Sequence, residues 1–327
     1  MRAAMQTEYG APNVLSVGEV ADPIPGKGEV LVGVHASAIT QGDRRLRAGD
    51  FPGLVGALGS LAVGVRRPRA RVPGSTFAGR VVAIGAGVTR FAVGDDVFGG
   101  VMHGALAERL VVKESAGIAK MPAGFTHAEA ATLPYGAGTA RAFLEDFGKL
   151  EGGERVLVVG ATGGVGRFAV QLAAHLGAEV WGTHRGSESE LVGALGARPV
   201  TLDELGEAGF DLVLDTAFAE SAFRRFRRHL APRGRYLTLI ASVRVLAEML
   251  FTRLTGGKRA KTGVALESAA GLEAVARLAE AAAFRPRIAK RFPLAEVAAA
   301  HAYLEEERPR GEVVVELVPA AASEHAA

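Results

Sequence analysis

The chain contains no cysteine. This absence excludes disulfide bonds, thiolate nucleophiles and every zinc or iron–sulfur centre that needs a cysteine ligand. The eight histidines offer no replacement, because none has a second histidine four residues away or an acidic metal motif beside it. We therefore expect no bound metal.

Long apolar runs are also missing. No segment reaches the roughly eighteen uninterrupted apolar residues of a membrane-spanning helix, and residues 1–10 lack the apolar core of a signal peptide. The apolar run 241–254 is interrupted by Arg244, Glu248 and Arg253, and it predicts a helix that faces the core or an interface. We expect a cytoplasmic protein without a membrane span.

The overall charge is close to balanced, with 38 Lys and Arg against 35 Asp and Glu. A net charge of +3 gives no case for a dedicated nucleic-acid-binding protein. Two arginine clusters lie within residues 66–71 and 224–228; the second is expected to be a mostly solvated face, and for the first the alternatives are a solvated surface and a site entrance. The length of 327 residues, 49% of them apolar, suggests two domains with sizeable cores.

Two sequence patterns divide the chain. Up to about residue 123, short β-rich runs are separated by Gly and Pro, which predicts a compact β-barrel-like domain. From Thr126 onward, helical runs alternate with apolar strand-like runs. This alternation is typical of an α/β domain with a doubly wound parallel sheet.

A glycine-rich βαβ unit lies between Glu154 and His184. The apolar run 156–159 predicts a strand, and an amphipathic helix is expected from about Gly164. Glycines in the intervening turn let the backbone approach a pyrophosphate, and the helix N-terminus stabilises its charge. The unit therefore predicts dinucleotide binding, with a structural turn of an ordinary α/β domain as the alternative. The glycines are Gly160, Gly163, Gly164 and Gly166.

The end of the second strand indicates which nucleotide binds. NAD-selective proteins usually place an Asp or Glu there, but this chain reads Thr183, His184, Arg185, Gly186, Ser187. Arg185 can bind a 2′-phosphate bidentately, helped by the Ser187 hydroxyl and His184. We therefore predict NADPH, with NADH as a possibility and a solvated Arg185 as the alternative. Glu188 is expected to begin the next helix.

Several dispersed segments resemble the medium-chain dehydrogenase/reductase superfamily. The resemblance implies a GroES-like β-barrel catalytic domain (residues 1–123 and 265–327), a Rossmann domain (residues 124–264) and a homodimer. The segments are Gly74–Val82, Ile84–Phe91, Val93–Gly99, Leu133-Pro134, Gly138–Ala140 and Arg310–Val314.

One branch of that superfamily fits better than the others. Zinc-dependent members bind catalytic zinc through a Cys and a Gly-His-Glu segment, and residues 38–43 and 71–75 contain neither. The chain thus resembles the zinc-free quinone oxidoreductase-like branch. This resemblance implies hydride transfer to a quinone or to the C=C bond of an enone or alkenal, which are small hydrophobic electrophiles. The alternatives are a redox-inactive protein that binds RNA or has a structural role, and an enoyl reductase of an acyl pathway.

The resemblance also implies catalytic residues. The family's Asn-x-x-Asp motif, followed by Arg and Gly, appears here as Thr40, Asp43 and Arg47. Thr40 and Asp43 are therefore the predicted catalytic residues, unless they only fix the turn. The tyrosine that some enoyl reductases carry near this motif is absent, so water or the Thr40 hydroxyl is expected to deliver a proton.

The remaining predicted site residues follow the same resemblance. Arg47, Tyr135 and His103 are expected to line the substrate pocket, and residues 51–71 to cap it. Glu312 replaces a common lysine and Asp203 a common tyrosine, and both changes weigh against NADPH. The predicted cofactor-binding residues are Thr139, Gly160, Ala161, Thr162, Gly163, Gly164, Val165, Gly166, Thr183, His184, Arg185, Ile240, Ala241 and Ser242.

Overall fold

The computed structural model describes residues 1–50, 63–206, 209–217, 222–265 and 268–317. Most of the predicted cap over residues 51–71 lies outside this description. The α-helices are α1 (Gln41–Ala48), α2 (His127–Ala130), α3 (Leu133–Arg141), α4 (Gly164–His175), α5 (Ser189–Ala194), α6 (Phe223–Phe226), α7 (Val243–Thr255), α8 (Ala269–Glu280) and α9 (Val297–Glu306). The strands are β1 (Arg2–Gln6), β2 (Leu15–Glu19), β3 (Glu29–Ile39), β4 (Thr76–Ile84), β5 (Asp96–Gly100), β6 (Arg109–Lys113), β7 (Ile118–Lys120), β8 (Arg155–Val159), β9 (Glu179–Thr183), β10 (Arg198–Val200), β11 (Phe210–Asp215), β12 (Leu230–Thr238), β13 (Arg259–Thr262), β14 (Ile288–Pro293) and β15 (Glu312–Glu316).

The glycine-rich unit lies at the centre of a six-stranded parallel sheet. The strand order is β10, β9, β8, β11, β12, β13, which is the Rossmann arrangement. The apolar run 156–159 is buried within β8, as a strand covered by helices on both faces requires. Because the strand order turns back between β8 and β11, their carboxyl ends border a crevice where ligands of this fold bind.

The first part of the chain and its last strands share a second, seven-stranded sheet. Its order is β14, β15, β3, β4, β5, β7, and β6 also pairs with β3. The last strand, β15, pairs antiparallel with β3, so the chain folds back on its beginning after the parallel sheet. The predicted α/β architecture is confirmed. Among the described strands this order is an open path, and closure into a barrel stays a prediction.

The two sheets are joined by a common hydrophobic core. One buried cluster contains Phe98 of β5 together with Leu144, Val158 and Leu214 of the parallel-sheet region. Gly136 of α3 permits close packing there, because a Cβ atom at this position would lie 2.4 Å from the Phe168 ring. The packed core fixes both walls of the cleft between the sheets.

The apolar run 241–254 forms a helix, α7, as predicted, but most of its apolar side chains face solvent. Its buried residues are Val245 and Thr252. The helix connects β12 to the edge strand β13, and it packs along β13. The short polar strand β13 was missed from sequence, because Arg259–Thr262 carries no apolar run.

Candidate active-site cleft

The two sheets enclose a cleft of about 660 Å³, which is an ordinary size for a small-molecule site. Its walls come from the start of α1, the turn between β8 and α4, the end of β9 and the residues before β15. Ten of the predicted site residues line it: Thr40, Tyr135, Gly160, Thr162, Gly163, Gly164, Val165, Thr183, His184 and Arg185. The cleft also contains Thr216, Glu188, Arg308, Arg310 and Glu312.

The glycines of the β8–α4 turn form a backbone cradle. Gly160 has φ 79°, a conformation that favours glycine, and a Cβ atom on Gly166 would lie 2.0 Å from the Gly160 carbonyl oxygen. Gly163 is the N-cap of α4 and supplies no side-chain cap, so the first turn keeps N–H groups for an anion. Thr183 stabilises the turn by accepting a hydrogen bond from the Gly160 amide at 2.9 Å. These residues fit a pyrophosphate.

The end of β9 places polar groups at the far end of the cradle. His184 Nδ1 is buried and has no hydrogen-bond partner within the described parts of the chain. Arg185 is exposed and lines the cleft. The unpaired ring nitrogen can hydrogen-bond a ligand's hydroxyl group, and the guanidinium of Arg185 can donate to a phosphate group. The nucleotide therefore fits with its ribose at this end.

Two further residues at this end were not predicted as site residues, although Glu188 was expected to begin the helix that it caps. Glu188, the N-cap of α5, accepts hydrogen bonds from the Thr162 hydroxyl at 3.1 Å and the Arg185 amide at 3.3 Å. Arg310 donates to the Ser187 hydroxyl at 2.9 Å, and its Nε lies 3.5 Å from a Glu188 oxygen. The segment before β15 thus brings a second arginine to the cleft that Arg185 lines, and the Glu188 carboxylate contacts both Arg310 and Thr162 of the glycine turn.

Glu312 is held next to the glycine turn by a buried ion pair. Its carboxylate lies 2.5 Å from the Arg167 guanidinium, which also donates to the Thr162 carbonyl at 2.9 Å. Burial raises the pKa of Glu312, whereas the charge of Arg167 and its hydrogen bond act to lower it. A Cβ atom on Gly164 would lie 3.8 Å from this carboxylate. Arg167 therefore offsets a negative charge that would otherwise repel a pyrophosphate.

Thr40 and Asp43 form a capping box at the start of α1. The Thr40 hydroxyl donates to the Asp43 carboxylate at 2.6 Å and accepts a hydrogen bond from the Asp43 amide at 3.0 Å. Burial raises the pKa of Asp43, and the hydrogen bonds from Thr40 oppose this shift. These contacts perform the turn-fixing role that was the alternative for the pair. Thr40 still faces the cleft, so its catalytic role stays a prediction.

The structure places the three predicted substrate-pocket residues in different surroundings. Tyr135 lines the cleft, its ring lies against Gly42, and burial raises the pKa of its hydroxyl. Arg47 is fully buried in the last turn of α1, where it forms an ion pair with Glu305 of α9. His103 is exposed. Among the described residues, neither Arg47 nor His103 belongs to the cleft lining.

The other predicted cofactor residues lie around the cleft without forming its described wall. Ala161 and Gly166 are buried within the β8–α4 unit, and Thr139 is a half-buried residue of α3. Ile240, Ala241 and Ser242 come shortly after β12, one to three residues beyond the cleft-lining Leu239. The Ser242 hydroxyl caps α7 by accepting a hydrogen bond from the Val245 amide at 3.3 Å.

Neither a metal-binding cluster nor a membrane-spanning helix occurs among the described residues. No group of three or more His, Asp or Glu side chains in that part of the chain could hold a metal ion. No helix there is long and apolar enough to cross a lipid bilayer.

Comparisons with known proteins agree with this geometry. Family models match residues 26–124 (alcohol dehydrogenase GroES-like domain) and residues 191–315 (zinc-binding dehydrogenase). The mitochondrial NAD(P)H oxidoreductase RTN4IP1 of Mus musculus is 30% identical over 334 residues, which cover 89% of this chain and 82% of that protein.

Two further relatives extend the comparison. The pikromycin polyketide synthase component PikAII of Streptomyces venezuelae is 35% identical over 235 residues, which are 68% of this chain but 6% of that far longer protein. The structure of the quinone oxidoreductase from Coxiella burnetii superposes with a TM-score of 0.84 at 24% identity, covering 97% of this chain and 99% of that one. The chain therefore belongs to the medium-chain dehydrogenase/reductase superfamily, as a quinone oxidoreductase-like protein, and is an oxidoreductase that uses a nicotinamide cofactor.

Proposed function

We propose that the protein is an NADPH-dependent, zinc-independent reductase that transfers hydride to a quinone or to the C=C bond of an α,β-unsaturated carbonyl compound. One observation carries this proposal: a single cleft joins the glycine cradle and its cationic end to the polar pair Thr40 and Tyr135. The nicotinamide, when bound, supplies the hydride. The absence of cysteine supports a reaction without catalytic zinc.

The preference for NADPH rests on the arginines at the ribose end. Arg185 and Arg310 both line the cleft, and Ser187 already accepts a hydrogen bond from Arg310. A 2′-phosphate carries nearly two negative charges and matches a pair of guanidinium groups. Glu188 opposes this, since its carboxylate lies beside Arg310. When the nucleotide binds, Arg310 is proposed to turn from Glu188 to the 2′-phosphate, so that the charges of Arg185 and Arg310 outweigh the Glu188 carboxylate.

The residues at the acceptor end of the cleft need to bind, orient and protonate the acceptor. They do not need to activate it. Quinones and enones accept hydride at a carbon that is already electrophilic, so a hydrogen bond to the oxygen suffices. The Thr40 hydroxyl donates to Asp43, and it must turn away from that carboxylate before it can donate to a substrate. The raised pKa of Tyr135 keeps its hydroxyl protonated and able to donate. Tyr135 is therefore proposed to hydrogen-bond the acceptor oxygen, and water or the Thr40 hydroxyl is proposed to deliver the proton, since a raised pKa makes Tyr135 a weaker acid.

A second candidate function is supported by the polyketide synthase relative. The matched portion of PikAII suggests that this chain resembles a segment of an acyl-processing enzyme. Reduction of an enoyl group is the same chemistry on a longer acceptor, so the two candidates differ in the substrate and not in the hydride step. The domain limits at residues 123 and 265, and the homodimer, also remain proposals.

The cofactor proposal is tested by steady-state kinetics with NADPH and NADH in the presence of EDTA. The acceptors are 1,4-naphthoquinone, an enone and an enoyl thioester. Arg185→Ala is expected to lower kcat/KM for NADPH roughly 10- to 100-fold, as the loss of a charge-assisted hydrogen bond predicts, and to leave NADH unchanged. The control is Arg277→Ala, which removes an exposed arginine of α8 outside the cleft.

Three results would contradict these proposals. An equal loss of kcat/KM with NADPH and with NADH would show that Arg185 does not bind the 2′-phosphate. Inactivation by EDTA would contradict the zinc-independent reaction. The absence of calorimetric binding of either nucleotide would sink the reductase proposal and favour a redox-inactive protein.

A further inference from the structure

Each acid that lines the cleft is already paired with an arginine, and positive charge remains. Arg185 and Arg308 also line the cleft, and neither guanidinium forms an ion pair with another described residue. Arg185 is the proposed ligand of the 2′-phosphate, which leaves the charge of Arg308 without an assigned partner. The paired acids are Glu188 with Arg310, Glu305 with Arg47, and Glu312 with Arg167.

Arg308 is held in a backbone conformation that few side chains adopt. It follows Glu307, the C-cap of α9, with φ 46°, and glycine is the usual residue at this position. The Cβ atom of any other residue is strained there. The chain therefore places a long cation, exposed and beside the cleft, where glycine would relieve the strain. A strained residue at a cleft indicates a ligand for its side chain.

A buried ion pair relates Arg308 to a second cleft-lining arginine, Arg44 of α1. Arg47 in the last turn of α1 pairs with Glu305 in the last turn of α9, so these two helices meet there. Arg44 comes three residues before Arg47, and Arg308 comes three residues after Glu305, which is about one helical turn in each case. Because both arginines also line the cleft, they form a positive edge on its α1 side, here called the arginine lip.

The arginine lip lies at the acceptor end of the cleft. The Arg44 amide donates to the Thr40 carbonyl at 3.0 Å, so these residues are one turn apart on the same face of α1. The Arg44 guanidinium donates to Asp50 at 2.9 Å and to Gln41 at 3.1 Å, and these bonds do not use all of its N–H groups. An acceptor whose oxygen meets Thr40 therefore has Arg44 roughly 6 Å further along the helix.

The anionic groups of the cofactor have other proposed partners. The pyrophosphate fits the amides of the glycine cradle, and Arg185 and Arg310 are the proposed ligands of the 2′-phosphate. We propose that the arginine lip binds a carboxylate or phosphate group of the acceptor, so that the substrate is an enone or quinone with an anionic substituent. Guanidinium groups bind both anions through charge-assisted hydrogen bonds. This inference names the substrate class of the proposed reductase and rests on that function.

The test compares an acid with its neutral ester. Benzylideneacetone with a carboxylate on its ring is an anionic enone, and the methyl ester of the same compound presents the same double bond without the charge. With NADPH as reductant, kcat/KM is expected to be higher for the acid, and added salt should reduce this preference because it screens the arginines. Arg308→Gly should lower the ratio of kcat/KM for acid to ester roughly tenfold. Arg308→Lys keeps the charge and should retain most of the ratio.

A matched control separates the lip from the backbone. Lys149 is an exposed cation with φ 52° and does not belong to the described cleft lining, so Lys149→Gly makes the same kind of change away from the site. Both glycine variants should keep or raise the thermal midpoint, because glycine adopts this conformation without strain. The ratio of acid to ester should change in Arg308→Gly and not in Lys149→Gly.

Other results would overturn the proposal. An equal loss of kcat/KM for acid and ester in Arg308→Gly, or a higher KM for both NADPH and NADH at an unchanged ratio, would assign Arg308 to the cofactor. The same loss of the ratio in Lys149→Gly would show that a distant cation has the same effect, and would contradict the lip.

Failure of the reductase proposal is distinguished by a binding measurement. If neither acceptor is reduced, calorimetry is carried out with the acid and the ester on the protein saturated with NADP⁺. Binding that favours the acid, and that Arg308→Gly weakens roughly tenfold, would support the lip although these enones are not substrates. Equal binding of acid and ester, or no binding of either, would contradict the lip.

Discussion

The folded protein is expected to lose stability as the pH falls, because of the surroundings of His301. The residue lies on α9 and is 1% exposed, and neither ring nitrogen has a hydrogen-bond partner in the described parts of the chain. Burial, and to a smaller extent the nearby charge of Arg47, lowers the pKa of His301 to about 3. The folded protein therefore holds this imidazole neutral at every pH at which the enzyme would be assayed.

The sign and size of the effect follow from proton linkage. The unfolded chain binds a proton at His301 near its ordinary pKa of 6.5, and the folded chain does not until about pH 3. The stabilisation is therefore fully present above pH 6.5 and is lost as the pH falls from there towards 3. At about 1.4 kcal/mol per pH unit, the loss between pH 7.5 and 5.5 is about 1.4 kcal/mol, and it reaches about 3 kcal/mol by pH 4.5.

The assay compares urea unfolding by circular dichroism between pH 4.5 and 7.5. His301→Gln cannot be protonated, so its free energy of unfolding should fall less steeply with acid by the amounts given above. His103→Gln, which removes an exposed imidazole, is the control and should keep the slope of the unaltered chain. An identical pH slope in His301→Gln and the unaltered chain would refute the reasoning.

Three further substitutions test the cleft. Gly166→Ala places a methyl group against the Gly160 carbonyl, so it should lower the free energy of unfolding by about 1–3 kcal/mol. It should also abolish the increase in thermal midpoint that NADPH produces. A normal increase would contradict the backbone cradle. Glu312→Gln leaves the buried Arg167 guanidinium without its counter-charge, so the free energy of unfolding in urea should fall by about 3–5 kcal/mol. An unchanged urea midpoint would show that the ion pair contributes little to stability. Thr40→Ala removes the cap of α1 and should lower the free energy of unfolding by about 1 kcal/mol. Thr40→Ser keeps a hydroxyl and is the control. If the hydroxyl also protonates the product, kcat should fall in Thr40→Ala and not in Thr40→Ser.

Local patterns made most of the parallel-sheet domain predictable. The run 156–159, the glycines and the following helix lie together in sequence, and the structure assembles them as β8 and α4. The capping box at Thr40 was also within reach, because a Thr followed three residues later by an acid is a helix-start signal. Such features depend on neighbours within a few residues, which the sequence displays directly.

Contacts between distant segments were not predictable in this way. Arg310 and Glu188 are 122 positions apart, and Arg167 and Glu312 are 145 apart, yet each pair meets in the cleft. No periodicity or spacing links such residues, because the meeting depends on how β15 joins β3. The outward orientation of α7 was missed for the same reason, since an apolar helix pattern does not reveal which face the rest of the fold covers.

The part of the cleft wall just before β15 is synthesised after the rest of the nucleotide site. All six strands of the parallel sheet have been made by residue 262, so the glycine cradle can form on a nascent chain. Arg310 and Glu312 are synthesised about fifty residues later, so the ion pair between Arg167 and Glu312 forms after the sheet strands have been made. The part of the cleft wall that precedes β15 is therefore added last, when β15 has been synthesised and pairs with β3.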